Sequence, residues 1–197
     1  MKNKNYWTSI KNKRDGKTIV CLVGVVDTKI SYPLFVAVNE EGLAGTSFSP
    51  LTSTDHVSAG MVENKIIISR LEDALVQFDE FFSSKRKKFT LPINWSLVSP
   101  FSEHVLKIVG EIPYGEVRTY KQIAALCGIP KAPRAIGAAN AHNPFPVIIP
   151  CHRVVGTDGG LHGFSSPGGL DTKAQLLALE GIRTHQHHLI PVQEKII

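Results

Sequence analysis

Cys151 and His152 are neighbours in the run PCHRV at residues 150–154. The thiolate is the nucleophilic form of cysteine, and its population depends on a nearby base or positive charge. Because adjacent residues of an extended strand point to opposite sides, His152 can assist Cys151 only across a sharp bend or through a bridging water. The pair indicates an activated thiolate, and a buried structural cysteine is the alternative that the dipeptide alone leaves open.

The residues before Cys151 predict a mostly helical second half. A first helix begins after Ser99 and places four apolar side chains on one face, namely Phe101, Val105, Leu106 and Val109. Thr119 and Gln122 fit a capping box at the start of a second helix, which ends at Gly128. After a turn, a third helix spans residues 133–141 and is rich in small side chains.

Two short helices around a glycine-bearing turn predict a helix-turn-helix, although the small residues are also typical of a tight helix-helix contact in the core. Arg134 lies in the first turn of the third helix. A cation is unfavourable there with the helix dipole, so we expect Arg134 to have an outside partner or to be solvated. Residues 143–146 are non-helical, and the apolar residues 147–149 that follow are typical of a strand.

The first half of the chain has a different pattern. Short apolar runs broken by turn residues predict an antiparallel sheet, and these runs are residues 19–26, 34–38, 43–48 and 66–69. Residues 71–82 have helical spacing and predict an amphipathic helix that closes a small α/β unit. The basic stretch 84–92 is typical of a linker, so we predict domains at residues 1–90 and 91–197.

The composition favours a folded protein with an anionic partner. Of 197 residues, 43% are hydrophobic, and the net charge of +5 favours phosphate-rich partners. Part of this charge lies in residues 2–17 and 85–88, which are also typical of a solvated terminus and a solvated linker. The apolar runs are shorter than the ~20 residues of a membrane helix. Three cysteines without a C-x-x-C pair favour neither disulfides nor a zinc site, and we expect a cytoplasmic protein.

An ordered set of motifs between residues 101 and 181 resembles the O6-alkylguanine-DNA alkyltransferase (methylated-DNA–protein-cysteine methyltransferase) family. The set comprises PYGEV at 113–117, Tyr120, RAIG at 134–137, NP at 143–144, PCHRV at 150–154, GGL at 168–170 and LEG at 179–181. The resemblance implies an α/β N-terminal ribonuclease-H-like domain, with an antiparallel sheet plus a helix. A mostly α C-terminal domain with a helix-turn-helix follows it.

The same resemblance implies DNA repair by direct reversal, in which an alkyl group passes irreversibly and stoichiometrically from O6-alkylguanine to Cys151 without a cofactor. O4-alkylthymine is left open as a second substrate. By resemblance, His152 withdraws the thiol proton through water, and Glu180 holds and polarises His152. Tyr120 moves the target phosphate aside and donates a proton to the departing guanine.

Two cations are candidates for contact with DNA. By resemblance, Arg134 enters the base stack in place of the flipped nucleotide. Lys121 is a reasonable contact for a phosphate, and an exposed, solvated side chain is the alternative. The implied partner is double-stranded DNA that contains O6-alkylguanine. We expect a monomer and leave cooperative binding on DNA open.

The implied substrate pocket takes residues from three places. Asn143 is the hinge whose amide ties the Cys151 segment to the helix-turn-helix, and Pro146 forms part of the wall. Backbone carbonyls near Cys151 and Val154 accept the guanine amino group. Residues 161–169 form a lid in which glycines permit unusual dihedral angles.

This lid departs from the family pattern. It is one residue longer than in some members, and Phe164 is the aromatic residue nearest to the position of the family's pocket tyrosine. The backbone N–H that bonds guanine O6 comes from Ser165 or Ser166, because Pro167 has no N–H. The size of the accepted alkyl group is therefore left open.

Three other functions are alternatives. A non-enzymatic lesion binder of the alkyltransferase-like class lacks the acceptor cysteine, which is present here. A transcriptional regulator would use only the helix-turn-helix, and a Cys-His hydrolase needs an oxyanion hole and turnover. The His-rich residues 184–188 suggest a metal site, but we favour a solvated tail.

Overall fold

Four antiparallel strands, paired in chain order, form a sheet in the first quarter of the chain. They are β1 (Tyr6–Lys11), β2 (Thr18–Val26), β3 (Leu34–Asn39) and β4 (Gly42–Ser47). The computed structural model describes residues 6–11, 18–51 and 64–190. Alternate residues of β3, which are Leu34, Val36 and Val38, pack in one core with helix α1 (Lys65–Phe82). The predicted antiparallel sheet plus helix is confirmed.

One expectation for this half is wrong. Residues 66–69, predicted as a strand, lie at the start of α1, where the Asn64 side chain accepts hydrogen bonds from the N–H groups of Ile66 and Ile67. A short apolar run does not distinguish a strand from a buried helix turn, and the cap decides. The basic segment 2–17 contains β1, and its other residues lie outside the described part of the chain.

The stretch 84–92 is irregular but anchored to α1. The Phe89 ring packs against Phe78 and Phe81, with centroid distances of 4.8 and 5.4 Å. Beyond it, Leu43 in β4 donates its N–H to the carbonyl of Pro92 at 2.7 Å. The predicted linker therefore has irregular backbone, but its side chains pack against the rest of the protein. The domain boundary at residue 90 stays a prediction.

The second half is mostly helical, as predicted. Its helices are α2 (Pro100–Gly110), α3 (Tyr120–Leu126), α4 (Pro133–Ala141) and α5 (Leu170–Leu179). Ser99 caps α2, and both hydrogen bonds of the capping box between Thr119 and Gln122 are present at α3. Phe101 is an exception on the α2 face, because it is 46% exposed while Val105, Leu106 and Val109 are buried.

Two small pairings position the segments around Cys151. Strand β5 (Arg118–Thr119) runs parallel to β6 (Val154–Val155), so the start of α3 lies beside the residues that follow Cys151. Strands β7 (Thr184–His185) and β8 (His188–Leu189) form a hairpin. The hairpin is bonded to the start of the lid, since the N–H of Leu161 donates to the His187 carbonyl at 2.8 Å. The tail 184–188 is therefore partly ordered against the protein and not simply solvated.

None of the helices in the described ranges is long and apolar enough to cross a membrane. The main core is continuous between the two halves of the chain. It joins sheet and α1 residues such as Leu34 and Phe78 to Leu106 and Phe145 of the second half. The sheet therefore packs directly on the part of the molecule that carries Cys151.

Candidate active site

A tight loop delivers the chain to Cys151. The Asn143 side chain accepts from the N–H of Phe145 at 2.9 Å and donates to the carbonyl of Ile149 at 3.0 Å. Residues 147–149, predicted as a strand, form a turn, and Val147 has a φ of 78°. The strand prediction is wrong because the Asn143 bonds close this loop on itself and override the β propensity of the apolar residues.

Cys151 begins a short 3-10 helix, Cys151–Arg153, so the chain bends here and is not an extended strand. The bend turns His152 into the interior, where its Nε2 lies 2.7 Å from Oε1 of Glu180. Arg153 binds the same carboxylate twice, through Nε at 2.8 Å and Nη2 at 2.9 Å. These three buried side chains form what we call the buried ion cluster.

The PYGEV motif supports this cluster from outside. The N–H of Gly115 donates to Oε2 of Glu180 at 3.1 Å, and Nη1 of Arg153 donates to the Ile112 carbonyl at 2.6 Å. Gly115 has a φ of 81°, and a Cβ there would lie 3.3 Å from the Glu180 carbonyl oxygen. Glycine at this position permits both the turn and the close approach.

The charges in the buried ion cluster determine the protonation of His152. Burial opposes ionisation of Glu180, but hydrogen bonds and charges from His152 and Arg153 outweigh it and lower the pKa of Glu180 to about 2. Burial lowers the pKa of His152, and the carboxylate opposes this effect. We therefore assign a neutral imidazole that donates from Nε2 to Glu180 and keeps a lone pair on Nδ1. That Nδ1 is buried and has no hydrogen-bond partner among the described residues.

Cys151 also borders a cavity of about 630 Å³, which lies between α4 and the lid. Its lining is mostly apolar and comprises Tyr120, Pro133, Arg134, Gly137, Asn140, Ala141, Cys151, His162, Gly163, Phe164 and Ser165. Arg134 is exposed at the start of α4, whereas Cys151 is 7% exposed. The cavity therefore leads from a cationic rim to the thiol.

Four of the predicted site residues line this cavity: Cys151, Tyr120, Arg134 and Ser165. Phe164, the aromatic residue predicted nearest to the pocket tyrosine position, lines it too. The Tyr120 hydroxyl donates to the His162 carbonyl at 3.2 Å, and the Ser165 hydroxyl donates to the Ala141 carbonyl at 2.9 Å. These bonds fasten the lid to α3 and α4.

The other predicted pocket residues are not among the lining residues. Pro146 is buried, and its carbonyl accepts the Thr46 hydroxyl of β4 at 2.7 Å. Val154 is fully buried in β6. Ser166 lies in the turn before α5, where its carbonyl accepts from the Gly169 N–H at 2.9 Å.

Asn143 acts from the loop, where PCHRV and the end of α4 meet, and its amide lies within hydrogen-bonding reach of the Cys151 thiol. Lys121 is exposed on the first turn of α3, outside the cavity. The backbone acceptor near Val154 is already used, because that carbonyl accepts from Lys173 at 2.7 Å. A guanine amino group would therefore share this oxygen with the lysine.

Comparisons with known proteins agree with this geometry. The family described as the DNA-binding domain of 6-O-methylguanine DNA methyltransferase matches residues 100–182. A methylated-DNA–protein-cysteine methyltransferase of Methanosarcina barkeri is 43% identical over 148 residues, which are 75% of this chain and 90% of the relative. The chain belongs to the methylated-DNA–protein-cysteine methyltransferase family.

Solved structures of this methyltransferase family extend the match to three dimensions. Mycobacterium tuberculosis OGT in complex with DNA superposes with a TM-score of 0.67 and 34% identity, covering 79% of this chain and 90% of that one. The Mycobacterium tuberculosis O6-methylguanine methyltransferase gives a TM-score of 0.63 and 28% identity, covering 93% of this chain and 96% of that one. The predicted family and fold are thus confirmed.

A buried lysine of this methyltransferase chain was missed by the sequence reasoning. Lys173 in α5 is 0% exposed, and its Nζ donates to the carbonyls of Val154, Leu161 and His162. Burial lowers its pKa to about 8, and the charge of Cys151 opposes this shift. Lys173 therefore places a cation between the lid and the Cys151 segment.

The Cys151 thiol is protonated at rest. Burial raises its pKa, and the hydrogen bond from Asn143, the charge of Lys173 and backbone N–H groups partly counteract the increase. Burial also raises the pKa of Tyr120 to about 12, with a further contribution from the charge of Cys151. A thiolate here thus needs a base, and the phenol stays protonated at neutral pH.

The sequence contained signals for some of the missed residues. Lys173 lies three residues after Leu170 and four before Leu177, so helical spacing places it on the apolar side of α5. Arg153 is part of the PCHRV motif but was given no role. Within the described ranges, no group of three or more His, Cys, Asp or Glu side chains is arranged to hold a metal ion.

Proposed function

We propose that this protein repairs O6-alkylguanine in double-stranded DNA by taking the alkyl group irreversibly onto Cys151. One observation carries the proposal: the thiol of Cys151 faces a cavity, while the adjacent His152 is held by Glu180 at 2.7 Å. A nucleophile, a base and a group that orients the base are together the usual composition of a covalent catalytic site. The product is a thioether, so one molecule repairs one lesion.

The buried ion cluster supports a route for the thiol proton. His152 has a free lone pair on Nδ1, because its Nε2–H is committed to Glu180. We propose that a water joins this Nδ1 to the Cys151 thiol and carries the proton to the imidazole. The positive charge of Lys173 and the Asn143 amide then stabilise the thiolate that remains.

In the transfer step, the sulfur attacks the alkyl carbon, a C–S bond forms, and the bond from that carbon to O6 breaks. The electron pair of the broken bond passes into the guanine ring. Tyr120 donates a proton to the ring, so the repaired guanine is a neutral base that stays attached to its deoxyribose. A phenol whose pKa is raised to about 12 still carries this proton at neutral pH, and it lines the same cavity as the thiol.

Access to Cys151 requires that the nucleotide leave the duplex, since a base inside the stack cannot reach a buried thiol. Arg134 is exposed at the rim of the cavity, where it can fill the space left by the flipped nucleotide. Lys121 is exposed one residue after Tyr120 and is proposed to contact a phosphate. Ser165 in the lid is the proposed donor to guanine O6, because Ser166 does not line the cavity.

A pair of cysteine variants tests this function. We expect Cys151→Ala to bind a duplex that contains O6-methylguanine but to leave the lesion in place. The matched control is Cys127→Ala, which removes a half-buried free thiol in the helix-turn-helix. It should repair the lesion at the wild-type rate. Repair by Cys151→Ala, measured as loss of O6-methylguanine from the hydrolysed DNA, would contradict the proposal.

A further inference from the structure

Asn140 in α4 has a buried side-chain amide without hydrogen bonds. The residue is 7% exposed and lines the cavity together with Cys151. Neither its Oδ1 nor its Nδ2 has a partner in the described part of the chain. Leaving a buried polar group unpaired costs about 1–3 kcal/mol, and native proteins contain few such groups. An unpaired amide in a cavity wall indicates that its partner arrives with the ligand.

The position of Asn140 shows which part of the ligand it meets. Arg134 marks the exposed rim of the cavity, and Asn140 is about 9 Å further along the axis of α4. The Asn140 carbonyl accepts from the N–H of Asn143 at 3.2 Å. The Asn143 amide in turn donates to the Ile149 carbonyl, which also accepts from the Cys151 N–H at 2.8 Å. This chain of hydrogen bonds holds Asn140 at the same end of the cavity as the thiol.

Substitution at carbon requires the attacked alkyl carbon to lie between the sulfur and O6 of the guanine. The rest of the alkyl group, and not the far edges of the base, then occupies the end of the cavity near Cys151. The volume of about 630 Å³ is within the range of pockets that hold complete small molecules, so the site has room for more than a methyl group. Asn140 is therefore placed to contact a longer alkyl group.

We propose that Asn140 determines which alkyl groups are removed, by hydrogen bonding a hydroxyl group carried on the O6-alkyl chain. This inference rests on the proposed function of Cys151. A hydroxyl both donates and accepts, so it can bond Oδ1 and Nδ2 of one amide. An apolar alkyl group of the same size leaves the amide unpaired, and sites built around such bonds reject the apolar analogue. The bonds that form and break are the same as for a methyl group.

Three duplexes test the inference, and they carry O6-(2-hydroxyethyl)guanine, O6-propylguanine or O6-methylguanine. The first two differ only by a hydroxyl in place of a methyl group. In wild type, we expect faster single-turnover transfer of hydroxyethyl than of propyl. Asn140→Leu, which removes both polar atoms at similar volume, should lower the ratio of these two rate constants about tenfold, as expected for one hydrogen bond. The rate constant of the same variant for the methyl group measures any loss that does not depend on the hydroxyl.

The ratio of two rate constants measured with one preparation does not depend on the fraction of protein that is folded. Asn140→Ala serves as a second variant if the leucine is too large. A ratio that neither variant changes would overturn the inference. An equal decrease in the rate constants for all three adducts would also overturn it, because Asn140 would then contact the guanine base and not the alkyl group. Failure of the wild-type protein to remove the methyl group would instead contradict the function of Cys151, on which the inference rests.

Discussion

The two sides of Cys151 differ in how their polar groups are satisfied. On the interior side, Glu180 accepts four hydrogen bonds, two from Arg153 and one each from His152 and Gly115. On the cavity side, the Asn140 side-chain amide has no partner among the described residues, and the lining is mostly apolar. The Glu180 carboxylate therefore has its partners without a substrate, whereas the Asn140 amide does not.

This difference assigns separate tasks to the two sides. A buried charge network with fixed partners holds the imidazole in one orientation and one tautomer. A largely apolar cavity excludes water and accepts a flipped base, with few polar groups to select it. Variants on the interior side should therefore change stability and the supply of thiolate, and variants on the cavity side should change the transfer step or the choice of substrate.

The largest effect is expected from Glu180→Gln. Removing one partner of a buried ion pair leaves Arg153 uncompensated and costs about 3–5 kcal/mol in the free energy of unfolding. Denaturant unfolding of both proteins at neutral pH measures this loss. Glu103→Gln, which removes a half-buried carboxylate that pairs with the exposed Lys107, is a matched control that should change stability by less than about 1 kcal/mol.

The same variant tests how the free energy of unfolding depends on pH in the acid range. The pKa of Glu180 falls from its usual 4.5 to about 2 in the folded protein. Its contribution is therefore complete above pH 4.5 and is lost as the pH falls towards 2. Glu180→Gln should reduce the pH dependence of the free energy of unfolding between pH 4.5 and 2. If this pH dependence is the same in both proteins, Glu180 is not a buried ionised carboxylate.

Tyr120→Phe probes the cavity side. We expect the single-turnover rate constant to fall about 100-fold, because a general acid for the departing guanine is lost. The unfolding free energy should change little, since the hydroxyl is bonded only to the His162 carbonyl among the described residues. Affinity for lesion-containing duplex, measured in the Cys151→Ala background, should be retained. A rate unchanged by the phenylalanine would remove Tyr120 from the transfer step.

Lys173 lies between the lid and the Cys151 segment, and Lys173→Met should slow transfer about tenfold at neutral pH. This factor corresponds to a change of roughly one unit in the pKa of the Cys151 thiol. The lysine cation lowers the pKa of the Cys151 thiol, so its loss raises that pKa. The pH at which the transfer rate rises should therefore be higher for Lys173→Met than for the wild type. The rates of the two proteins should become equal at alkaline pH. Lys107→Met removes an exposed lysine and should leave the profile in place. A uniform loss of rate at all pH values would indicate only a displaced lid.

The smallest effect is expected from Thr46→Val. Its hydroxyl in β4 donates to the Pro146 carbonyl at 2.7 Å, and its N–H donates to the Pro144 carbonyl at 2.9 Å. Loss of the first bond should lower the free energy of unfolding by about 1–2 kcal/mol, with a small decrease in rate. If the rate is unaffected while stability falls, the sheet supports the loop without adjusting Cys151.

The sequence predicted the chemistry best where short motifs carry it. Cys151, His152 and Glu180 were grouped because the motifs follow one order along the chain, and the structure places the His152 and Glu180 side chains in direct contact. The helix starts at Ser99 and Thr119 were also predictable, since capping depends on residues that are close in sequence. The bounds of α4 agree as well, and its start coincides with Pro133 at the first helical position.

Other features depend on contacts that are distant in sequence. Residues 147–149 have strand propensity, but the Asn143 bonds and the contact of Pro146 with Thr46 impose a turn. The functional position of Lys173 and Asn140 follows from burial against the lid and the cavity, which residue type does not indicate. Lysine and asparagine in a helix are usually exposed. Helical spacing places Lys173 on the apolar side of α5, but only tertiary packing shows what Lys173 and Asn140 contact.

The most direct test of the account is the mass of the cysteine-containing peptides after reaction with excess duplex that carries O6-methylguanine. We predict one added methyl group per chain, confined to the peptide with Cys151. Cys21 and Cys127 should be unmodified, and the amount of repaired DNA should equal the amount of active protein. Repair of more lesions than there are protein molecules, or repair that leaves Cys151 unmodified, would contradict a single irreversible transfer to this thiol.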